Sequence, residues 1–266
     1  MLVQRIVTAA ILGVAVVAAI LYLPPLWLGV VFGIFWLVGA REWARFAQLG
    51  LLGTVAYVVV LAGCMAAAGW FTGLSSGVYA ALAVAIAWWL VATISVLRYP
   101  LRFSSAQTVA AGIATLLPAW VLLVVLHASS ADGRKLVLIV LAIVWAADVG
   151  AYVVGRSMGR TKLAPNVSPG KTWEGVAGGL VLAAAVGAVA SRFVGVTAVE
   201  LTLLAVATAA VSVLGDLTVS MFKRNAGLKD SGSFLPGHGG VLDRVDSLTA
   251  AVVIFVLGLS LAGIIT

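Results

Sequence analysis

The chain has 266 residues, of which 63% are hydrophobic and only 9% charged, and its mean hydropathy is +1.19. Soluble domains carry about 25% charged residues, so this composition excludes a cytosolic enzyme, a disordered chain and a secreted disulfide scaffold. The net charge of +7 would point to nucleic acid in a soluble protein, but in an apolar chain it reads first as a topology signal.

Uncharged apolar runs near 6–23, 26–40, 49–71, 78–97, 108–127, 136–155, 175–191, 199–221 and 247–266 match the roughly 20 residues that cross a bilayer. They predict an all-α polytopic membrane protein with nine transmembrane helices, or eight if the first two form a shallow hairpin. Pro24-Pro25 marks the turn between those two. The first run, behind Arg5, imitates a signal peptide but lacks a convincing cleavage site before Pro24, so it is expected to stay in the mature chain. With the N-terminus cytoplasmic, the inner segments hold Arg5, Arg41, Arg45, Arg98, Arg102, Arg156, Arg160, Lys162, Lys171, Lys223, Arg224, Lys229 and Arg244. Only Arg134, Lys135 and Arg192 fall outside. This split follows the positive-inside rule and places the C-terminus outside for nine spans. The charge is therefore topological, and no nucleic-acid partner is needed. Gly29/Gly33 and Gly175/Gly179 have small-xxx-small spacing, read as helix packing within the chain, with a dimer contact as the alternative. The lone Cys64 permits no internal bridge.

The acids divide the chain. Seven of the nine (Asp148, Glu174, Glu200, Asp216, Asp230, Asp243 and Asp246) lie between residues 148 and 246, leaving Glu42 and Asp132 in the first 147. Residues 1–135 are accordingly expected to be scaffold that can wall a lipid cavity, and 136–266 to be the catalytic region, with cytoplasmic loops at 156–174 and 222–246. Asp148 and Asp216 sit inside apolar runs, where a carboxylate costs at least about 2.5–3.5 kcal/mol and so marks function by default. Glu200, at the outer start of its helix, suits a helix-dipole role. Asp216, Ser220 and Lys223 share one helix face, as do Asp148 and Tyr152. Asp243 and Asp246 are three apart and point the same way. Carboxylates converging without Cys or clustered His favour a hard cation such as Mg²⁺, whose shell is normally completed by phosphate and water.

Two cytoplasmic segments supply the counter-charge. The first contains Ser168-Pro-Gly-Lys171-Thr172-Trp-Glu174-Gly175. A Walker A loop would need glycine at residue 165, which is Pro165, so a P-loop is rejected. A Pro-Gly turn at a helix start beside Lys171 still suits a phosphate, and Glu174 reads alternatively as a capping acid. The second segment packs Lys223, Arg224, Lys229, Asp230, His238, Asp243, Arg244 and Asp246 into 24 positions around a Gly-rich stretch. Basic groups beside acids are the components of phosphoryl or nucleotidyl transfer. A CTP-using lipid kinase shares that chemistry. A transporter of phosphorylated anions would spread its charges along a path.

The stretch from Ser220 to Asp246 resembles the signature of the phosphatidate cytidylyltransferase family. The matching positions are Ser220, Lys223, Arg224, Lys229, Asp230, Gly232, Leu235, Pro236, His238, Gly239, Gly240, Asp243, Arg244 and Asp246. Asp148, Tyr152 and the Ser168–Gly175 element also resemble the family. The resemblance implies an inner-membrane enzyme making CDP-diacylglycerol and pyrophosphate from CTP and phosphatidic acid, dependent on Mg²⁺, with its site facing the cytoplasm and a homodimeric assembly. The resemblance leaves the ligand set open; the converging acids are expected to place one or two cations on Asp216, Asp243 and Asp246, with Asp148 as a fourth acid. Lys171, Lys223, Arg224, Lys229, Arg244 and His238 would hold phosphates, with Asp230 catalytic and Ser168, Thr172, Glu174 and Ser220 in the substrate site. His127, at an outer helix end, is a bystander.

Overall fold

The computed structural model describes residues 2–71, 75–232 and 239–265. Those residues form nine α-helices and one two-stranded sheet. The helices are α1 (Leu2–Tyr22), α2 (Pro25–Phe46), α3 (Leu51–Phe71), α4 (Ser75–Leu97), α5 (Ser105–Ala128), α6 (Gly133–Met158), α7 (Trp173–Ala190), α8 (Ala198–Asn225) and α9 (Leu242–Leu261). Helices α2 to α9 are each long and apolar enough to cross a bilayer; in α1 the described apolar stretch is Ala10–Tyr22. The protein is a helical membrane protein.

The helix boundaries follow local chemistry. Pro24 and Pro25 start α2, where a missing N–H and a fixed φ do no harm. Ser104 with Gln107, and Thr197 with Glu200, form capping boxes at the starts of α5 and α8. Glu200 thus stands in the first turn of α8, the position of the expected helix-dipole partner, and its carboxylate also caps the helix. Helix α8 ends in a Schellman turn: Leu228 N–H donates to Lys223 C=O at 2.8 Å, and Gly227 takes φ +71°, which glycine adopts without a Cβ penalty.

Two departures from the apolar runs bear on the site. Helix α2 continues past residue 40 through Arg41, Glu42 and Arg45, because Glu42 is buried and hydrogen-bonded rather than solvated. Helix α9 begins at Leu242 rather than 247, so Asp243 and Asp246 lie on its first turns. The segment 156–174 is also more ordered than a loop. It contains an antiparallel hairpin of β1 (Lys162–Ala164) and β2 (Ser168–Thr172), in register Lys162↔Thr172 and Ala164↔Ser168. Pro169, Gly170 and Lys171 therefore lie in β2, and the expected Pro-Gly turn at a helix start is replaced by Thr172 capping α7 at the Gly175 N–H.

Side chains on the outer faces, among them Leu51, Leu52, Val59, Leu90 and Val181, are exposed as lipid contact requires, while α5 and α9 are the most enclosed helices. Contacts at the ends of the helices tie α2, α8 and the α4–α5 connection together. Trp43 of α2 and Phe103, between α4 and α5, both pack on Phe222 near the end of α8, with ring centroids 5.2 and 5.0 Å away. Arg224 reaches the hairpin at Val167 C=O, 3.4 Å away.

Association of apolar helices in lipid depends on close packing rather than hydrophobic burial, which favours glycine at the contacts. The α6–α7 seam is such a contact. A Cβ on Gly150 would lie 2.6 Å from Gly178 C=O, and one on Gly179 would lie 2.6 Å from Ala147 C=O. Gly29 and Gly33 likewise receive Trp120 of α5, whose indole N–H donates to Gly29 C=O at 3.0 Å. Both small-xxx-small pairs therefore serve packing within the chain. Gly150→Val should separate α6 from α7 at a cost of about 1–3 kcal/mol, lowering the midpoint of thermal unfolding in detergent. An unchanged midpoint would mean that the two backbones do not touch.

Candidate active site

Four of the nine acids are committed to structure. Asp132 pairs with Lys135 at 2.5 Å, and Glu200 caps α8. Glu174 accepts from the Arg160 and Thr161 N–H groups, each at 3.1 Å. Glu42 binds the start of α9. The other five, Asp148, Asp216, Asp230, Asp243 and Asp246, line one cavity of about 290 Å³ together with Lys223, Arg244 and Ser247. Apart from Ser247, every residue of that lining was singled out in the sequence.

Three elements bring the carboxylates together. Asp148 comes from α6, two residues before the glycine that closes the α6–α7 seam. Asp216 comes from α8 and Asp246 from α9. The last two are set side by side by Gly215, where an added Cβ would lie 2.4 Å from Asp246 C=O. Asp246 is buried, and its Oδ1 accepts the Ser247 N–H at 2.7 Å. Ser220 donates its hydroxyl to Asp216 Oδ1 at 3.2 Å, so the expected shared face of α8 exists and the serine supports the carboxylate.

Each cationic partner enters from a different direction. Lys171, on β2, forms an ion pair with Asp216 of α8. That contact and the Arg224–Val167 bond tie the hairpin to α8 beside the site. Lys223 pairs with Asp243 at 2.7 Å, both side chains about 10% exposed. Burial of both partners makes this pair costly to break from one side, by about 3–5 kcal/mol.

Asp243 is fully engaged. Its Oδ1 takes the Lys223 ammonium, and its Oδ2 accepts the N–H groups of Ser231 at 3.0 Å and Gly240 at 3.1 Å. Those bonds close the loop between α8 and α9. Among the described residues, Asp148, Asp216 and Asp246 carry no comparable set of backbone bonds to a loop, and they lie within electrostatic range of one another.

Several other sequence candidates have structural partners. Thr172 is buried and spends its hydroxyl on the α7 cap, and Glu174 holds the hairpin to α7. Arg224 bridges Val167 and Leu228 carbonyls, at 3.4 and 3.2 Å. Tyr152 is exposed and its hydroxyl accepts from the Arg156 guanidinium at 2.8 Å. Ser168 lies on β2, and Lys229 and Asp230 are exposed beside the loop. Leu235, Pro236 and His238 lie outside the described residues. His127 is buried with Nε2 2.9 Å from Ile20 C=O, away from the cavity.

Sequence reasoning missed two contributors. Glu42, placed in the scaffold half, contacts the loop that carries the site. Gly215 reads as one apolar-helix glycine among many. The available signal for Glu42 was its position as the only acid in the first 131 residues, flanked by aromatic Trp43 at a helix end.

Among the described residues, no three Asp, Glu, His or Cys side chains form a ready-made metal centre. The donors that do gather are hard carboxylate oxygens with bonding capacity to spare, which suits a Mg²⁺-type cation that keeps water and phosphate in its shell. Fixed carboxylates facing Lys and Arg in a cavity open at the charged end of a membrane bundle can hold a polyphosphate and neutralise it.

The wider relationship of the chain agrees. The cytidylyltransferase family model matches residues 3–262. A phosphatidate cytidylyltransferase of Pseudomonas aeruginosa is 43% identical over 273 residues, covering 99% of this chain and 98% of that protein. One from Haemophilus influenzae is 40% identical, covering 96% and 97%. A Brucella suis relative of the same name is 47% identical over 126 residues, about 47% of each chain. The chain belongs to the cytidylyltransferase family.

Proposed function

We propose that this protein is a phosphatidate cytidylyltransferase, converting CTP and phosphatidate to CDP-diacylglycerol and pyrophosphate. The observation that carries the reading is the cavity itself: five aspartates with Lys223 and Arg244 at one end of an apolar bundle, in a chain related along its whole length to enzymes of that name. A phosphatidate oxygen attacks the α-phosphorus of CTP. The new P–O bond forms as the bond to the β-phosphate oxygen breaks, and pyrophosphate leaves in line. The attacking phosphate is already ionised near neutrality, so positioning and charge neutralisation supply the catalysis rather than a strong base.

The donor chemistry supports Asp148, Asp216 and Asp246 as the cation-holding set, with Asp243 organising the loop instead of ligating. This set exchanges Asp243 for Asp148 relative to the one expected from the spacing of the acids. A Mg²⁺ ion bound there would neutralise the polyphosphate and stabilise the pyrophosphate leaving group. Lys171 and Lys223, each now on a carboxylate, and Arg244, in the cavity wall, are the groups placed for phosphate oxygens. Positive-inside bias supports a cytoplasmic N-terminus and a cytoplasmic site in a bacterial inner membrane.

Detergent-purified protein given α-labelled CTP, Mg²⁺ and phosphatidate should move label into a lipid running as CDP-diacylglycerol, and EDTA should stop it. Transfer of γ-label to a lipid alcohol instead would establish a kinase. Asp246→Asn should reduce turnover roughly 100-fold or more at near-normal yield; activity close to wild type would remove Asp246 from the cation set. Lys171→Met should also lower kcat/KM for CTP, and an unchanged value would limit Lys171 to strapping the hairpin.

A further inference from the structure

Glu42 is a buried acid, 6% exposed, near the C-terminal end of α2. Its Oε1 accepts the Val241 N–H at 3.0 Å. Its Oε2 accepts the Leu242 N–H at 2.8 Å and the Ser231 hydroxyl at 2.9 Å. The two backbone donors are the first of α9, and in sequence they lie about 200 residues away. Among the described residues no Lys, Arg or His forms an ion pair with this carboxylate. Its compensation is three hydrogen bonds and the positive end of the α9 dipole.

The contact leaves no slack. A Cβ on Gly240 would lie 2.4 Å from Glu42 Oε2, and one on Gly232 would lie 2.3 Å from Oε1. Beside Glu42, Arg45 donates to Ser231 C=O at 2.7 Å. Ser231 is fully buried and divided between two acids: its hydroxyl goes to Glu42 and its N–H to Asp243. The residues next after Leu242 are Asp243 and Arg244, with Asp246 one turn on, and all three line the cavity.

From this geometry we propose that Glu42 is a positioning residue of the active site. Its carboxylate clamps the N-terminus of α9 and thereby sets where Asp243, Arg244 and Asp246 stand. The idea rests on the nucleotidyl-transfer reading of that cavity. A carboxylate fits the task because it offers an acceptor oxygen to each of two adjacent N–H groups; an amide keeps only one.

The test compares wild type with Glu42→Ala and Glu42→Gln, following lipid product and amide hydrogen exchange in the same preparations. Glu42→Ala should lose about 100-fold in kcat, the scale of a small misplacement of catalytic groups. The loss should fall on kcat more than on the KM for phosphatidate, and Glu42→Gln should recover part of it. Val241 and Leu242 amides should lose protection in Glu42→Ala while α5 keeps its own. Wild-type kcat in Glu42→Ala, or protection lost equally from α5, would overturn the proposal. If Glu42→Ala does not fold, Ser231→Ala carries the test: a lowered kcat with faster exchange at Val241 supports the clamp, and wild-type values for both overturn it. Should wild type itself yield no lipid product, the reaction assignment fails. The exchange data then still decide the clamp, which falls if Val241 and Leu242 stay protected without Glu42.

Discussion

Backbone-to-backbone contact between helices is the constraint on which the rest of this structure depends. In lipid there is little hydrophobic gain from bringing two apolar helices together, so position must come from close approach and from polar bonds at the ends. Gly150 and Gly179 fix α6 on α7, and Gly215 fixes α8 on α9 at the Asp246 carbonyl. Asp148, Asp216 and Asp246 each lie on a helix held by one of these contacts. The carboxylates are therefore brought to one depth by atoms that carry no charge and do no chemistry.

Once the helices are placed, the ends are tied by acids used as acceptors. Glu42 and Asp243 grip the segment before α9 from two sides, sharing Ser231 between them. Glu174 does the same for the hairpin, taking the N–H groups of Arg160 and Thr161. At the start of α9 the Glu42 carboxylate satisfies buried backbone donors whose unpaired state is costly, whereas the Glu174 bonds are exposed and hold the hairpin to α7. The site is thus built from two populations of acids, one spending its oxygens on the backbone and one keeping them available.

That division explains what could be read from the sequence. Apolar runs located all the helices, because a bilayer demands long uninterrupted hydrophobic segments whatever the tertiary packing. Charge asymmetry and spacing picked out Asp148, Asp216, Asp243 and Asp246, since an acid in or beside an apolar run stands out. What could not be read was which acid does which work. Asp243 and Asp246 are equivalent by spacing, yet only Asp243 meets Lys223 and two loop N–H groups, a fact decided by the fold of residues that follow α8. Helix α2 was cut short at residue 40 for the same reason: a charged stretch looks solvated until its partners, about 200 positions away, are known. The hairpin escaped notice because Ser168-Pro-Gly-Lys171-Thr172 has little strand propensity, and its pairing is held from outside by Glu174, Arg224 and Lys171.

The ion pairs have a consequence for how such a site is kept ready. Several aspartates in one small cavity repel one another, and without counter-charge they would push their helices apart. Lys171 on Asp216 and Lys223 on Asp243 supply that counter-charge from within the chain. The two pairs are not equivalent. Lys223–Asp243 is nearly enclosed and is reinforced by backbone bonds to Asp243, so it belongs to the framework. Lys171–Asp216 is about one quarter exposed on each side and joins a hairpin to a helix, so solvent screening weakens it. Of the two lysines, Lys171 is therefore the one whose release disturbs the structure less, because the Lys223–Asp243 pair keeps α8 joined to the start of α9.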